Sequence, residues 1–564
     1  MTDLEHLTGQ ALKDIAARLP VLSEDVRREW ADAMAAVLRP ENSVTLYSMQ
    51  ARHAGELSAV WEQVLNKTGA GANVGAHARP TGIDWENLAY FQLLRTLHSL
   101  RARQLMELLD TLKLEGASRK CVGFLLRQAI DAASPANFAA TNPEVIALAQ
   151  QTASASLQRG VAQFAQDLAR GRISTSDETQ FEVGRNLAVT AGAVVFENSV
   201  MQLIQYQAAT DSVSARPLFI VPPFINKFYI LDLQPENSLV RYCVEQGITV
   251  FMVSWRNVKG TELGQLTWDD YLRQGILTPL EVAREITGAT GLNVLGFCVG
   301  GTLLTCALAV ADQAALKRIK SLTLLASMLD FSDTGEISVF VNETFVRQAE
   351  QDYLSGGIMP GGKLFDTFAL LRANDLIWYF VVNNYLKGQA PRAFDLLYWN
   401  ADSTNVPGRL YAYYLRNMYL ENTLRVPGAL DMLGRPVDLR RLQVPVFAVA
   451  ARDDHIVPWR TAYASAQLLR GPLTFVLAQS GHIAGIINPP RSARRSYTKG
   501  GVIKDNPDAW LDGAESVAGS WWNYWLQWLR SHSGRSKVAK KILGSARYPV
   551  VEAAPGRYVR ERID

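Results

Sequence analysis

The chain is short of several features that would point to particular classes of protein. Its 564 residues include only four cysteines, none in a C-x-x-C pair, which argues against a disulfide framework and a zinc site and favours a reducing cytoplasm. The formal net charge is only +3, so no nucleic-acid partner is expected. No apolar run approaches the roughly 18 residues of a membrane span, and the first residues lack the basic and apolar regions of a signal peptide. We therefore expect a cytoplasmic protein with no membrane span, no metal and no cofactor.

The first part of the chain, residues 1–182, is rich in Ala, Leu, Gln, Arg and Glu, and its apolar residues recur at helical spacing. It contains no catalytic constellation. We predict a separate helical N-terminal domain that ends near Arg172–Glu182. Its predicted helices are Val26–Leu38, Ala51–Leu65, Trp85–Leu114, Cys121–Ala133 and Ala147–Leu168.

From about Asn186 the pattern changes to alternating strands and helices, which predicts a parallel sheet covered on both faces. The alternation stops over residues 331–437, which are aromatic and helix-like, and then resumes. We predict a second domain over residues 183–564, with an inserted cap at 331–437. The predicted strands are Ala193–Tyr206, Leu218–Val221, Thr249–Trp255, Leu292–Leu295, Ser321–Ser327, Val444–Ala450 and Leu473–Leu477, and the predicted helices include Ser238–Gln246 and Trp268–Ile286.

Tryptophan is concentrated near the end of the chain, where residues 520–529 hold four of the thirteen. At helical spacing Trp521, Trp525, Trp528 and Leu529 share one face. This pattern favours a helix packed on the domain core, with an interaction surface for an apolar body as the alternative.

Residues 294–301, Val-Leu-Gly-Phe-Cys-Val-Gly-Gly, match the nucleophile-elbow pattern G-x-S-x-G with cysteine in place of serine. In this motif a strand turns sharply into a helix and exposes the nucleophile at the top of an α/β-hydrolase sheet. A buried cysteine in a glycine-rich turn is the alternative. The motif predicts Cys298 as a nucleophile only if an acid and a histidine follow in that order.

An acid and a histidine do follow in the required order. Asp453 and Asp454 come directly after one late predicted strand, and His482 lies between glycines after the next. Of seven histidines only His455 and His482 are placed for catalysis, and His455 adjoins the acid, so His482 is the expected base. Placement alone leaves the choice between the two aspartates open.

The oxyanion of an acyl-transfer reaction needs backbone N–H donors. The N–H of Val299, just after the nucleophile, is one candidate. The second should come from the loop Val221–Lys227, whose two prolines cannot donate. Phe224, Ile225 and Asn226 remain, and we take Ile225 as the candidate.

Several long, collinear motifs from about Glu182 onwards resemble polyhydroxyalkanoate (poly-3-hydroxybutyrate) synthases, whereas the N-terminal part matches only weakly. The resemblance implies an α/β-hydrolase fold with a Cys298, Asp454 and His482 triad, which resolves the choice of aspartate. His455 and Asn226 are then neighbours of the reacting groups. The motifs are residues 296–302, 221–233, 253–257, 374–378, 383–386, 454–459 and 480–485.

The resemblance also implies a function. Members of this family polymerise (R)-3-hydroxyacyl-CoA with release of CoA, through a covalent acyl-cysteine. They work as homodimers at the surface of cytoplasmic polyester granules. Granule-associated proteins or a second subunit are further candidate partners. Phe297 and Val299 resemble the class I enzymes, which act on short-chain monomers such as 3-hydroxybutyryl-CoA, and Phe224 and Phe228 could tune pocket size.

Two other classes of function share part of this pattern. A cysteine-dependent thioesterase or ester hydrolase would have the elbow and triad, but it would not need the helical N-terminal domain or the cap motifs. Thiolate chemistry weakly favours acyl transfer, because exchange of one thioester for another is nearly balanced in energy. A non-catalytic granule-associated protein would use the apolar and tryptophan-rich segments but has no need of Cys298, Asp454 and His482 in triad order.

Overall fold

A computed structural model describes residues 43–65, 89–111, 114, 116–491 and 495–563. The chain forms two compact units. The first contains the described residues up to Asp177 together with Phe368–Arg392, and the second contains Glu178–Thr367 and Ala393–Asp564. A piece of the predicted cap therefore groups with the N-terminal helices. The two domain ranges drawn from the sequence stay a prediction.

The first unit is helical. The predicted helix over Ala147–Leu168 is wrong, because Ala153 and Ser154 take positive φ angles of 46° and 68° and divide it into two helices. The predicted helix Val26–Leu38 lies outside the described residues. The helices are α1 (Ser43–Leu65), α2 (Ala89–Thr111), α3 (Gly116–Ala132), α4 (Pro143–Gln151) and α5 (Ala155–Arg170), with π-helical turns at Asn374–Trp378 and Val381–Leu386.

The second unit is built on an eleven-stranded sheet. Six central strands, β4-β3-β5-β6-β7-β8 in spatial order, run parallel, and antiparallel strands flank them on both sides to give the full order β10-β9-β8-β7-β6-β5-β3-β4-β2-β1-β11. The strands are β1 (Gly192–Glu197), β2 (Met201–Tyr206), β3 (Leu218–Val221), β4 (Val250–Trp255), β5 (Leu292–Phe297), β6 (Ile319–Leu325), β7 (Val446–Ala451), β8 (Leu473–Ala478), β9 (Ser496–Lys499), β10 (Glu515–Ala518) and β11 (Glu552–Ala553).

One strand prediction is wrong, because the segment Ala193–Tyr206 forms two antiparallel strands instead of one. The turn between them is made by Asn198, whose side-chain oxygen accepts hydrogen bonds from the backbone N–H groups of Val200 and Met201 at 2.9 and 3.0 Å. An asparagine that bonds the backbone two and three residues ahead is a common turn former.

Both faces of the sheet are covered, as the sequence pattern predicts. Phe219 and Val221 of β3 point into one hydrophobic core, and Leu218 and Ile220 point into the other. The helices of this unit are Leu239–Glu245, Gly260–Leu263, Trp268–Asp270, Tyr271–Leu277 (π-helical), Thr278–Thr287, α6 (Val299–Val310), Gln313–Arg318, Glu343–Asp352, Gly361–Leu371 (continuing into the first unit), Asp395–Ala401, Gly408–Tyr414, Leu415–Leu420 (π-helical), Trp459–Gln467, α7 (His482–Ile486), Pro507–Asp512 and α8 (Trp521–His532).

The inserted segment after β6 is mostly helical, but it also contains four two-residue strands that the sequence analysis did not predict. They pair as two short antiparallel ribbons, Ile358–Met359 with Val406–Pro407 and Asp431–Met432 with Arg435–Pro436. Strands this short carry no periodicity for a sequence pattern to reveal. A third ribbon pairs Ser212–Ser214 with Ser536–Val538.

The tryptophan-rich segment forms helix α8, and the prediction that it packs on the core is confirmed. Trp521, Trp522 and Trp525 are fully buried, whereas Trp528, which was placed on the same face, is only half-buried. Ser520 caps the helix by accepting a hydrogen bond from the Trp522 N–H at 3.0 Å. Within the described ranges, no helix combines the length and the apolar character needed to cross a membrane.

Candidate active site

Cys298 lies at a sharp turn between β5 and α6. Its φ and ψ angles are 51° and −130°, a conformation that non-glycine residues rarely adopt. The turn is held because the Cys298 N–H donates to the Leu325 carbonyl of β6 at 2.8 Å. A side chain at Gly300 would overlap the backbone oxygens of Val221 and Pro222. The local structure is therefore the one that the elbow motif predicts, with the cysteine half-buried.

Asp454 and His482 meet at the same edge of the sheet, beyond the carboxyl ends of β7 and β8. Oδ2 of Asp454 lies 2.6 Å from Nδ1 of His482. Oδ1 accepts hydrogen bonds from the backbone N–H groups of Ile456 and Val457 at 2.9 and 2.8 Å. Both side chains are buried, whereas Asp453 is exposed. The structure thus brings Asp454, rather than its neighbour, to the histidine.

His482 lies between two groups that can carry negative charge. Burial alone would lower the pKa of the imidazole, but the charges of Asp454 and Cys298, with hydrogen bonds to both, raise it well above its ordinary value. The ring of Phe297, the residue before the cysteine, is stacked on the imidazole with ring centroids 5.7 Å apart. The arrangement can hold a protonated imidazole beside a thiolate, and it can exchange a proton with the sulfur.

Val299 is the first residue of α6, so its N–H has no acceptor within the helix and points from the positive end of the helix dipole. The loop after β3 is pressed against the elbow at Gly300. In this loop the carbonyl of Ile225 accepts a hydrogen bond from the Thr404 N–H at 3.4 Å, and Asn226 pairs with Ser403. Ile225 as the second oxyanion donor stays a prediction, as does Asn226 as a neighbour of the reacting groups.

His455 lies outside the pair formed by Asp454 and His482. It is half-buried, and its carbonyl oxygen would lie 2.8 Å from a side chain added at Gly335, which takes a φ of 63°. His455 therefore contacts the start of the inserted segment through its backbone, and its role beside the reacting groups stays a prediction.

A buried ion pair that the sequence analysis missed fixes the loop after β3. Nζ of Lys227 lies 3.1 Å from Oδ1 of Asp402, and each side chain is only 2 % exposed. The same ammonium donates to the carbonyls of Val559 and Glu561, both at 2.7 Å. Tyr229 donates to the other oxygen of Asp402 at 2.9 Å. Burial lowers the pKa of Lys227, and Asp402 partly opposes that shift. In the sequence, the sign of this buried ion pair is a lysine that directly precedes the apolar run Phe228–Leu231.

The inserted segment contributes an aromatic wall beside the cysteine. Burial raises the pKa of Tyr414 well above its usual range, and Tyr414 and Tyr419 both interact electrostatically with Cys298. Their rings contact each other at 5.2 Å, and both contact Phe331. Phe224 from the loop after β3 packs against Tyr414 at 6.4 Å. The surroundings of Cys298 therefore include apolar rings that carry two hydroxyls.

Metal-ligating side chains do not cluster in the part of the chain that the structure describes: no group of three or more His, Cys, Asp or Glu there could hold a metal ion.

The elbow, the order of the three side chains and the sheet define the class of protein as an α/β-hydrolase. In agreement, the family model described as "alpha/beta hydrolase fold" matches residues 217–489. A second family model, "Poly-beta-hydroxybutyrate polymerase (PhaC) N-terminus", matches residues 77–243.

The chain is also similar to curated proteins over almost its whole length. It is 47% identical to the poly(3-hydroxyalkanoate) polymerase subunit PhaC of Cupriavidus necator, over 92% of this chain and 88% of that protein. It is 40% identical to the protein of the same name from Rhizobium etli, over 85% and 76%, and 34% identical to poly(3-hydroxyalkanoate) polymerase 1 of Ectopseudomonas oleovorans, over 99% of each chain. The chain therefore belongs to the poly(3-hydroxyalkanoate) polymerase family.

Proposed function

We propose that this protein polymerises (R)-3-hydroxyacyl-CoA into polyhydroxyalkanoate with release of CoA, and that Cys298 carries the acyl chain. The observation that carries the proposal is a cysteine in the strained turn of the nucleophile elbow, whose charge acts on a buried histidine that is itself bonded to Asp454. Membership of the polymerase family supports the same reaction.

In the first half of the cycle the Cys298 thiolate attacks the thioester carbon. The carbonyl oxygen becomes an oxyanion, which the backbone N–H groups of Val299 and Ile225 stabilise. When the tetrahedral intermediate collapses, the bond to the CoA sulfur breaks, and the imidazolium of His482 gives its proton to the departing thiolate. The acyl group is then held on Cys298 as a thioester.

In the second half the 3-hydroxyl of another acyl unit attacks the acyl-cysteine. Neutral His482 accepts the hydroxyl proton, the new ester bond forms, and the Cys298 thiolate is released beside the imidazolium. Asp454 orients His482 and stabilises its charged form. This role is supported by the engagement of both carboxylate oxygens, one by two backbone N–H groups and the other by the imidazole. Activation of the substrate hydroxyl by Asp454 is the alternative.

The proposal includes a preference for short-chain monomers. Phe224 is only 3% exposed and is surrounded by the rings of Trp268, Tyr271 and Tyr414, so the space for a side chain on the monomer is restricted. We also propose that the protein works as a homodimer in the cytoplasm, at the surface of polyester granules and beside granule-associated proteins.

A cysteine-dependent hydrolase would share this site, so the decisive test follows both products. Purified protein is incubated with 3-hydroxybutyryl-CoA, and CoA release, polymer and free 3-hydroxybutyrate are measured together. We expect CoA and polymer in parallel, and no CoA release from the Cys298→Ala variant. Free 3-hydroxybutyrate without polymer would identify a hydrolase. Full CoA release by the alanine variant would refute the acyl-cysteine. Monomers with C4, C6 and C10 acyl chains test the chain-length preference. We expect the rate of CoA release to fall from C4 to C10.

A further inference from the structure

The helix that begins at His482 is unusually short. Helix α7 has five residues, His482–Ile486, and a helix of this length cannot satisfy the carbonyls of its own last turn. Two of these carbonyls accept hydrogen bonds from buried indoles. Nε1 of Trp521 donates to the Gly485 carbonyl at 2.9 Å, and Nε1 of Trp522 donates to the Ile486 carbonyl at 3.0 Å.

The beginning of α8 faces the end of α7. Ser520, which caps α8, donates through its hydroxyl to the carbonyl of Asn488, just past α7. The positive end of one helix dipole therefore lies against the negative end of the other, which is a stabilising arrangement. Ser520, Trp521 and Trp522 are all buried, so water cannot replace these bonds without opening the core.

Helix α7 also contacts the strand that leads to Asp454. A side chain at Gly485 would bring its Cβ 2.8 Å from the Cβ of Ala451, the last residue of β7, so the helix and strand are in close contact. Helix α7 thus contacts both the strand that presents Asp454 and the two tryptophans. A shift of α7 along its axis would move His482 relative to both Asp454 and Cys298.

We propose that Trp521 and Trp522 are positioning residues for His482, acting through the hydrogen bonds of their indoles to the terminal carbonyls of α7. The inference rests on the proposed function in one respect, since it takes His482 as the catalytic base. It gives the tryptophan-rich segment a part in the reaction beyond filling the core.

The test compares three substitutions in the full chain, Trp521→Phe, Trp522→Phe and Trp510→Phe. Each removes the same ring volume from a fully buried site. Trp510 is the matched control, because its indole nitrogen has no hydrogen-bond partner among the described residues and its ring packs against Tyr463 and Phe475. Replacement of Trp521 or Trp522 by benzothienylalanine provides a second variant, in which sulfur takes the place of the N–H and the shape of the ring is kept.

Two measurements are made on each variant. The first is the rate of CoA release, separated into kcat and KM. The second is the pH dependence of Cys298 alkylation by iodoacetamide, with Cys298→Ala as the blank; the other cysteines of the chain are buried. The charges that act on His482 are those of Asp454 and Cys298, and the cysteine also interacts electrostatically with Tyr414 and Tyr419.

For the Trp521 and Trp522 variants, both Phe and benzothienylalanine, we expect kcat to fall by about 10- to 100-fold with KM little changed, and alkylation at low pH to slow. Trp510→Phe should lower the stability of the protein and leave kcat and the alkylation profile unchanged. If the indole variants match Trp510→Phe in kcat and in the alkylation profile, the inference is wrong and the tryptophans only fill the core. The alkylation measurement needs no acyl substrate. A wild-type protein that alkylates normally but makes no polymer would therefore overturn the proposed function and leave this inference standing.

Discussion

Replacement of Asp454 by asparagine tests the core of the proposed mechanism. The amide oxygen can still accept the hydrogen bonds from Ile456 and Val457, so the loop should keep its shape. The negative charge 2.6 Å from Nδ1 of His482 is lost, however, and burial is then the dominant influence on the imidazole. The pKa of His482 should fall from its raised position, and the imidazolium should no longer be stabilised.

The magnitude follows from the role of the carboxylate. An amide in place of a buried triad aspartate costs about 10⁴-fold in kcat, which corresponds to about 5 kcal/mol of activation free energy. The assay is CoA release from 3-hydroxybutyryl-CoA, together with Cys298 alkylation between pH 5 and pH 9. The variant should need a higher pH than the wild-type protein to reach the same alkylation rate, because the imidazolium of His482 loses its carboxylate partner.

Asp453→Asn is the matched control. Asp453 is exposed, so its substitution should leave both the rate of CoA release and the alkylation profile unchanged. The reasoning would be refuted if Asp454→Asn kept kcat within about tenfold of the wild type and had the same alkylation profile. A loss of activity in both variants would place the effect in the loop rather than in the carboxylate.

Three further predictions concern stability. Gly300→Ala should destabilise the fold by at least about 3 kcal/mol, because the new methyl group overlaps backbone oxygens, whereas Gly362→Ala, with open space around it, should change the free energy of unfolding by less than about 1 kcal/mol. Urea denaturation compares the two variants, and equal effects would contradict the close packing at Gly300. Lys227→Met should lower the free energy of unfolding by about 3–5 kcal/mol, because it leaves the Asp402 carboxylate buried without its ammonium partner. Adding Asp402→Asn should recover part of this loss in the same assay. An unchanged denaturation midpoint for Lys227→Met would show that the ion pair is not needed for stability. The raised pKa of His482 means that the folded protein binds the imidazole proton more tightly than the unfolded chain does. The stability contributed by His482 should therefore be complete below its ordinary pKa of 6.5 and be lost as the pH rises through the raised pKa. His482→Gln should remove this pH dependence from the denaturation midpoint, and an unchanged dependence would show that another group causes it.

Much of the sheet could be predicted from the sequence, because buried parallel strands are continuous apolar runs and the elbow motif is specified by local sterics. The segment around Cys298 is the clearest case: Gly300 and the strained φ of the cysteine belong to one short motif. Where the prediction failed, the cause was local geometry without a strong signal. The left-handed residues Ala153 and Ser154 divide a helix although neither is glycine or asparagine.

The interactions that support the candidate site were harder to predict, because their partners are far apart in the chain. Lys227 and Asp402 are separated by 175 residues of sequence, and no periodicity connects them. The sequence pattern predicts that Trp521 lies on a buried helix face, but its bond to the Gly485 carbonyl depends on how two helix ends meet. Such contacts arise from tertiary packing, which a local pattern does not encode.

The contacts of Lys227 also have a consequence for the order of events during synthesis. The ammonium that fixes the loop after β3 reaches carbonyls at Val559 and Glu561, more than 330 residues later in the chain. Ribosomes add about 5–20 residues per second, so this loop waits many seconds for its final partners. Cys298 leaves the ribosome long before Asp454 and His482. In the proposed mechanism the cysteine is therefore made early and activated late, so a nascent chain would carry a thiol but not yet a catalyst.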